Sequence, residues 1–145
     1  MDVAGRATVQ PGPGVCSEAE VRALVENFYA RVRQDPQLGP VFAAHVHDWP
    51  AHIDLLCDFW SALLRGTRRF AGSPMRKHAQ IDGLDQALFQ RWLALFAQTT
   101  ATLGNPAMQQ LADVSAARIG ATLWRGYQQS RWPALPPILG QPARD

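Results

Sequence analysis

From Val21 to Tyr127 the apolar residues recur three and four positions apart, in runs that break at proline and glycine. That period is what helices with one apolar face produce when they share a core, and it leaves little room for sheet. No strand-like alternation of useful length appears, and neither does an internal repeat of about 20 to 50 residues. The chain is therefore read as all-α. Its 145 residues suffice for one domain that buries a single sizeable core or encloses one cofactor.

The helices can be placed from their start and stop signals. Ser17 with Glu20 three residues on is a capping box, and it opens the series Val21, Leu24, Val25, Phe28 and Val32. This helix is expected to end near Gln34, where Asp35-Pro36 and Gly39-Pro40 begin a tight corner, because residues before proline avoid the helical region. Val41-Phe42 reads as a short apolar pair after the corner. Asp48 then caps a second helix to about Leu64, with Trp49 and Pro50 in its first turn and a stripe of Leu55, Leu56, Phe59, Trp60 and Leu63. Beyond Arg65-Gly66 comes a loop with Gly72, a cap at Ser73, and Pro74 opening about one turn of helix that ends at His78. Asp82-Gly83 breaks the chain again. Leu84 starts a helix to about Leu103 that presents Leu88, Trp92, Leu95, Phe96 and Thr99. Gly104 stops it, and Asn105-Pro106 opens a last helix bearing Met108, Leu111, Ser115, Ile119 and Leu123, which runs to about Arg131. The flanks, 1–16 with its Pro-Gly-Pro-Gly run and 133–145 with its prolines, are too poor in bulky apolar groups to offset ordering, so a flexible tail is expected at each end of a domain over 17–132.

Several function classes are disfavoured. The formal charge is only +2, and the basic residues are scattered apart from Arg65, Arg68 and Arg69, so nucleic-acid binding is not suggested. No run approaches the roughly 18 apolar residues of a membrane span, and the first residues lack a basic start followed by an apolar stretch, so a cytoplasmic protein is expected. Cys16 and Cys57 read as unpaired thiols. His45 and His47 diverge on a helix and lack a third ligand nearby, which makes them a solvated turn rather than a metal pair.

What remains is a set of polar rings among apolar stripes. Tyr29 lies beside the first stripe, His52 belongs to the second at three and four residues before Leu55 and Leu56, and Trp92 sits in the middle of the third. Each has an ordinary reading: a tyrosine at the core edge with its hydroxyl in water, a histidine at a wet rim, an indole filling core volume. His78 likewise is either an ordinary histidine or an axial ligand held one turn along its short helix.

Taken in order, Phe28-Tyr29 with Val32-Arg33-Gln34-Asp35, Leu38-Gly39-Pro40-Val41-Phe42, His52 with Phe59-Trp60, Gly72-x-Pro74-x-x-x-His78, and Arg91-Trp92-Leu93-Ala94-Leu95-Phe96 resemble the truncated haemoglobins. These strings span about Val21 to Arg131. The third group of that family is the most similar, because no Gly-Gly pair is present and Tyr29, His52 and Trp92 occur together. The resemblance implies a globin-like, truncated two-over-two helical sandwich around haem b, iron protoporphyrin IX. It implies His78 as the proximal iron ligand and Tyr29, His52 and Trp92 on the far face. Phe42 would pack on the porphyrin edge, Leu56 and Phe59 would floor the distal pocket, and Met75, Ile81 and Ile119 would also contact the cofactor. Phe70 stands where tyrosine is frequent in the family, so the ring is kept and its hydroxyl lost. Arg65, Arg68 and Lys77 either meet the haem propionates or are simply solvated.

The implied partner is dioxygen or another diatomic ligand, stabilised by donors aimed at its outer atom. Tyr29 O–H and Trp92 N–H are the donors expected, with His52 donating, swinging to open a path, or binding iron itself. Redox chemistry on nitric oxide or peroxide, fed by an unknown reductase, is expected rather than bulk transport by a monomer or weak dimer. A haem-based sensor or electron carrier and a cofactor-free helical interaction domain are the alternatives.

Overall fold

A computed structural model describes residues 9–68 and 85–131, and the side chains of the last helix as far as residue 125. Within these residues there are five helices and no strand: α1 Glu18–Gln34, α2 Leu38–His45, α3 Trp49–Arg65, α4 Gln86–Thr100 and α5 Pro106–Arg131. Helix α1 packs on α2, α3 and α4; α4 packs along α5, and α5 returns to α3. The arrangement is two helix pairs, α1/α3 and α4/α5, laid one over the other.

The capping chemistry follows the sequence closely. Ser17 N–H donates to Glu20 Oε1 at 2.9 Å and Glu20 N–H donates to Ser17 Oγ at 3.0 Å, which satisfies two donors that an uncapped start would leave open. Asp48 Oδ1 accepts from Ala51 N–H at 3.1 Å and Asn105 Oδ1 from Met108 N–H at 3.1 Å. The Asn105 amide also donates to Val15 O and Glu20 Oε2, so the cap of α5 is tied to the start of α1. Gly66 closes α3 at φ 75°, a left-handed position that glycine takes without a Cβ clash. Asp85, rather than a residue at the Asp82-Gly83 break, caps α4, accepting from Leu88 N–H at 2.8 Å.

The chief departure is α2, where a corner was expected. Asp35 Oδ2 accepts from Gln37 N–H and Leu38 N–H, supplying a cap from outside the helix. Pro40 is the third helical residue, so its missing N–H removes no helical bond. Gly39 before it has no Cβ to meet the proline ring, and a Cβ there would lie 2.7 Å from Arg33 O. The stretch before Ser17, read from its composition as a tail, is anchored at its end: Gly12 N–H donates to Leu64 O at 3.0 Å, and Cys16 is buried in the core.

The core holds Trp60, Phe28, Phe96, Leu24, Leu64 and Met108, all essentially without solvent contact. Trp60 stacks on Phe96 at 4.9 Å between centroids, and Phe28 meets Phe96 edge-on at 5.0 Å. On α5 the fully buried residues include Ala112, Ala116 and Gly120, one turn apart, small enough for close approach to α4; a Cβ on Gly120 would only touch Leu93 at 3.5 Å. Both cysteines are free, as expected, and both are buried, which the tail reading did not anticipate for Cys16; burial raises the Cys16 thiol to about 11, with Glu20 adding to the rise. Such a thiol is a poor nucleophile at neutral pH.

Candidate functional site

Helix α3 carries two apolar faces side by side. Cys57, Trp60, Ser61 and Leu64 turn into the core, while His52, Leu56, Phe59 and Leu63 stay half-buried on the next face. The stripe read from sequence mixed the two, because residues three and four apart are compatible with either face of a helix flanked on both sides. Ser61 is buried without cost because its hydroxyl donates to Glu18 Oε1 at 2.7 Å.

On the α1 side the polar rings converge. Tyr29 is buried, with Phe42 from α2 at 5.8 Å and His52 from α3 at 6.1 Å, both edge-on. The Trp92 indole of α4 reaches the Tyr29 hydroxyl, and an indole N–H facing a phenol oxygen can only act as the donor. Burial pushes the Tyr29 phenol well above its ordinary value, and the bond from Trp92 opposes this only in part. The hydroxyl therefore stays protonated throughout the neutral and alkaline range.

Three of the expected site residues, Tyr29, His52 and Trp92, are thus brought together, with Phe42 beside them. Leu56, Phe59 and Ile119 are half-buried and pack against the core. Arg68 is exposed. Arg65 is committed elsewhere: its Nε donates to Cys16 O at 2.8 Å and its guanidinium pairs with Glu18 at 2.7 Å, tying the end of α3 to the start of α1. Phe70, Met75, Lys77, His78 and Ile81 lie outside the described residues. His45 and His47 are exposed, and no group of three His, Cys, Asp or Glu side chains suited to a metal ion occurs among the described residues.

Trp49 was missed as a site residue. Its ring lies 5.6 Å from His52, 6.1 Å from Tyr29 and 6.5 Å from Phe42, and the Arg33 guanidinium sits 4.5 Å over its outer face. A pocket of about 190 Å³ lined by Glu26, Tyr29, Ala30, Arg33, Trp49 and Ile53 lies on that side. The available signal was helical spacing, since Trp49, His52, Ile53 and Leu56 form one stripe. Asp35 and Arg91 were missed as a pair, and no local signal joins residues so far apart in the chain.

Two crossed helix pairs with this Tyr, His and Trp constellation define a truncated globin. The sequence model of the bacterial-like globins matches residues 14–118, and the chain belongs to that family. A Group 3 truncated hemoglobin of Campylobacter jejuni is 29% identical over 99 residues, which is 66% of this chain and 78% of that protein. The crystal structure of a group III truncated hemoglobin from Campylobacter jejuni matches with a TM-score of 0.71 at 28% identity, over 76% of this chain and 90% of that one. As a member of this family the chain is a haem-binding globin, a class that takes diatomic ligands. The described residues fit that cofactor, because large half-buried apolar side chains on α2, α3 and α4 adjoin a buried hydroxyl that is kept protonated. No helix among the described residues is long and apolar enough to cross a membrane.

Proposed function

We propose that the chain holds haem b through His78 and binds dioxygen tightly, using a relay in which Trp92 supports Tyr29 and Tyr29 donates to the ligand. The observation that carries this is the buried Tyr29 phenol, ringed by Phe42, Trp49 and His52, with the Trp92 indole reaching its hydroxyl. One indole N–H makes one strong bond at a time, so Trp92 acts through Tyr29 here rather than as a second, parallel donor. Haem supplies the iron that binds the ligand and exchanges electrons with it.

The remaining steps belong to the protein. Tyr29 presents a polarised hydrogen to a small ligand bearing partial negative charge, in a site where the surrounding rings of Phe42, Trp49 and Trp92 exclude water and strengthen that interaction. His52, half-buried and with its ring edge-on to Tyr29 and Trp49, serves as the second polar group. Leu56 and Phe59 floor the site, with Phe42 and Ile119 at its edges. On the same reading, cofactor contact falls to Met75, Ile81 and Phe70, the last without a hydroxyl, and the propionates to Lys77 and Arg68. A neutral phenol of this kind holds dioxygen back from release and can lend a proton to peroxide, which favours redox turnover on nitric oxide or peroxide over transport.

Two measurements test the reading. The visible spectrum of purified protein, oxidised, reduced and with carbon monoxide, is expected to show a haem Soret band whose axial ligation is lost in His78→Ala. Stopped-flow oxygen release is expected to quicken by roughly tenfold or more in Tyr29→Phe, the worth of one good hydrogen bond. Fast release in the unaltered protein that does not change in Tyr29→Phe overturns the relay.

A further inference from the structure

The end of α1 and the middle of α4 are joined by an ion pair whose arginine precedes Trp92 in the chain. Asp35 follows the last residue of α1, and its side chain is 5% exposed. Arg91 Nε donates to both Asp35 oxygens at 2.8 Å, and a terminal nitrogen of the same guanidinium lies 2.6 Å from Oδ1. The same carboxylate accepts from Gln37 N–H at 3.0 Å and Leu38 N–H at 2.8 Å, so it also starts α2. One side chain therefore fixes three elements that each bring a ring to the site: α1 with Tyr29, α2 with Phe42 and α4 with Trp92.

Arg91 and Trp92 are neighbours in sequence, so whatever holds one backbone holds the other. Trp92 meets Phe28 edge-on at 5.4 Å and stacks on Phe96 at 5.7 Å. Those contacts set the plane of the indole, but apolar contact has little directional preference and tolerates a slide. A hydrogen bond does not, since about half an ångström beyond the usual separation already weakens it steeply. Something with fixed geometry must set the position of α4 along α1, and a fork-shaped, charged contact does so.

We propose that Asp35 and Arg91 are positioning residues for the distal pair, holding Trp92 where its indole N–H meets the Tyr29 hydroxyl. The consequence for ligand release rests on the relay described above, whereas the placement of Trp92 does not. Asp35 is held well below the usual carboxylate range, to about 2, chiefly by Arg91 and despite its burial, so the contact is charged at neutral and mildly acid pH.

The experiment uses the haem-loaded full chain labelled with nitrogen-15, with Arg91→Ala, Arg91→Lys and Asp35→Asn. The Trp92 indole N–H resonance is assigned by its loss in Trp92→Phe and followed together with the melting temperature and stopped-flow oxygen release. In Arg91→Ala the resonance is expected to move upfield and broaden, and release to quicken about fivefold to tenfold, as for loss of one hydrogen bond. Arg91→Lys keeps the charge but not the fork, so it should restore melting temperature more fully than the indole resonance. If Arg91→Ala does not fold, Arg91→Lys and Asp35→Asn provide the same reading. A lower melting temperature with an unmoved indole resonance overturns the proposal and leaves an ordinary ion pair. A moved resonance with unchanged release supports the positioning role and overturns the relay instead.

Discussion

Phe28 and Tyr29 are adjacent on α1 and meet edge-on at 4.7 Å, yet they belong to two differently built regions. Around Phe28 the partners are Phe96, Trp92 and, through Phe96, the stacked Trp60, a set that is dry and held by shape. Around Tyr29 the partners are Phe42, Trp49 and His52, and the Trp92 indole reaches its hydroxyl. Among the described residues, Trp92 reaches both. The first region spends its aromatic surface on stability, while the second keeps a polar hydrogen inside an apolar wall, which is useful only to something that binds there. Stability and chemistry are thus separated by a single step along one helix.

That separation can be broken from either side. The largest effect is expected from Phe96→Ala, which removes the ring that both Trp60 and Phe28 pack on; denaturant unfolding should show a loss of about 3–5 kcal/mol. A smaller but distinctive effect is expected on acidification. Because the folded-state value of Asp35 is about 2 against an ordinary 3.8, its contribution is whole above about pH 4, falls as pH drops through that window, and is gone below about 2. Equilibrium unfolding against pH should therefore lose that dependence in Asp35→Asn. The smallest stability effect is expected from Tyr29→Phe, about 1 kcal/mol by thermal unfolding, since one hydrogen bond is lost and the ring volume is kept. If Tyr29→Phe proved as costly as Phe96→Ala, the two regions would be one core and the division drawn here would fail.

Much of this was legible in the chain. The helices α1, α3, α4 and α5 are announced by capping residues and periodic stripes, and these depend only on neighbours within one turn. Tyr29, His52 and Trp92 could be singled out because a phenol, an imidazole and an indole on apolar faces each require a partner. Helix α2 was not legible, because its cap comes from Asp35 outside the helix and its proline is harmless only at the position it happens to occupy. Trp49 was passed over because large rings at the start of a helix usually fill space. The two faces of α3 were merged, because spacing alone cannot tell a face that meets the core from one that stands beside it.

The sequence by itself determined that α1, α3, α4 and α5 are helical, where three of them start, which side chains are apolar enough to share a core, and that one tyrosine, one histidine and one tryptophan would be costly to leave unpaired. Those are local properties, set by backbone sterics, capping and the period of the helix. Only the tertiary structure decided that Arg91 reaches Asp35, that Trp92 meets Tyr29, and that Arg65 is spoken for by Glu18 and Cys16. Each of these joins residues dozens of positions apart. Their pairing depends on how two helix pairs cross, and that is settled by the fit of whole surfaces rather than by any one stretch of chain.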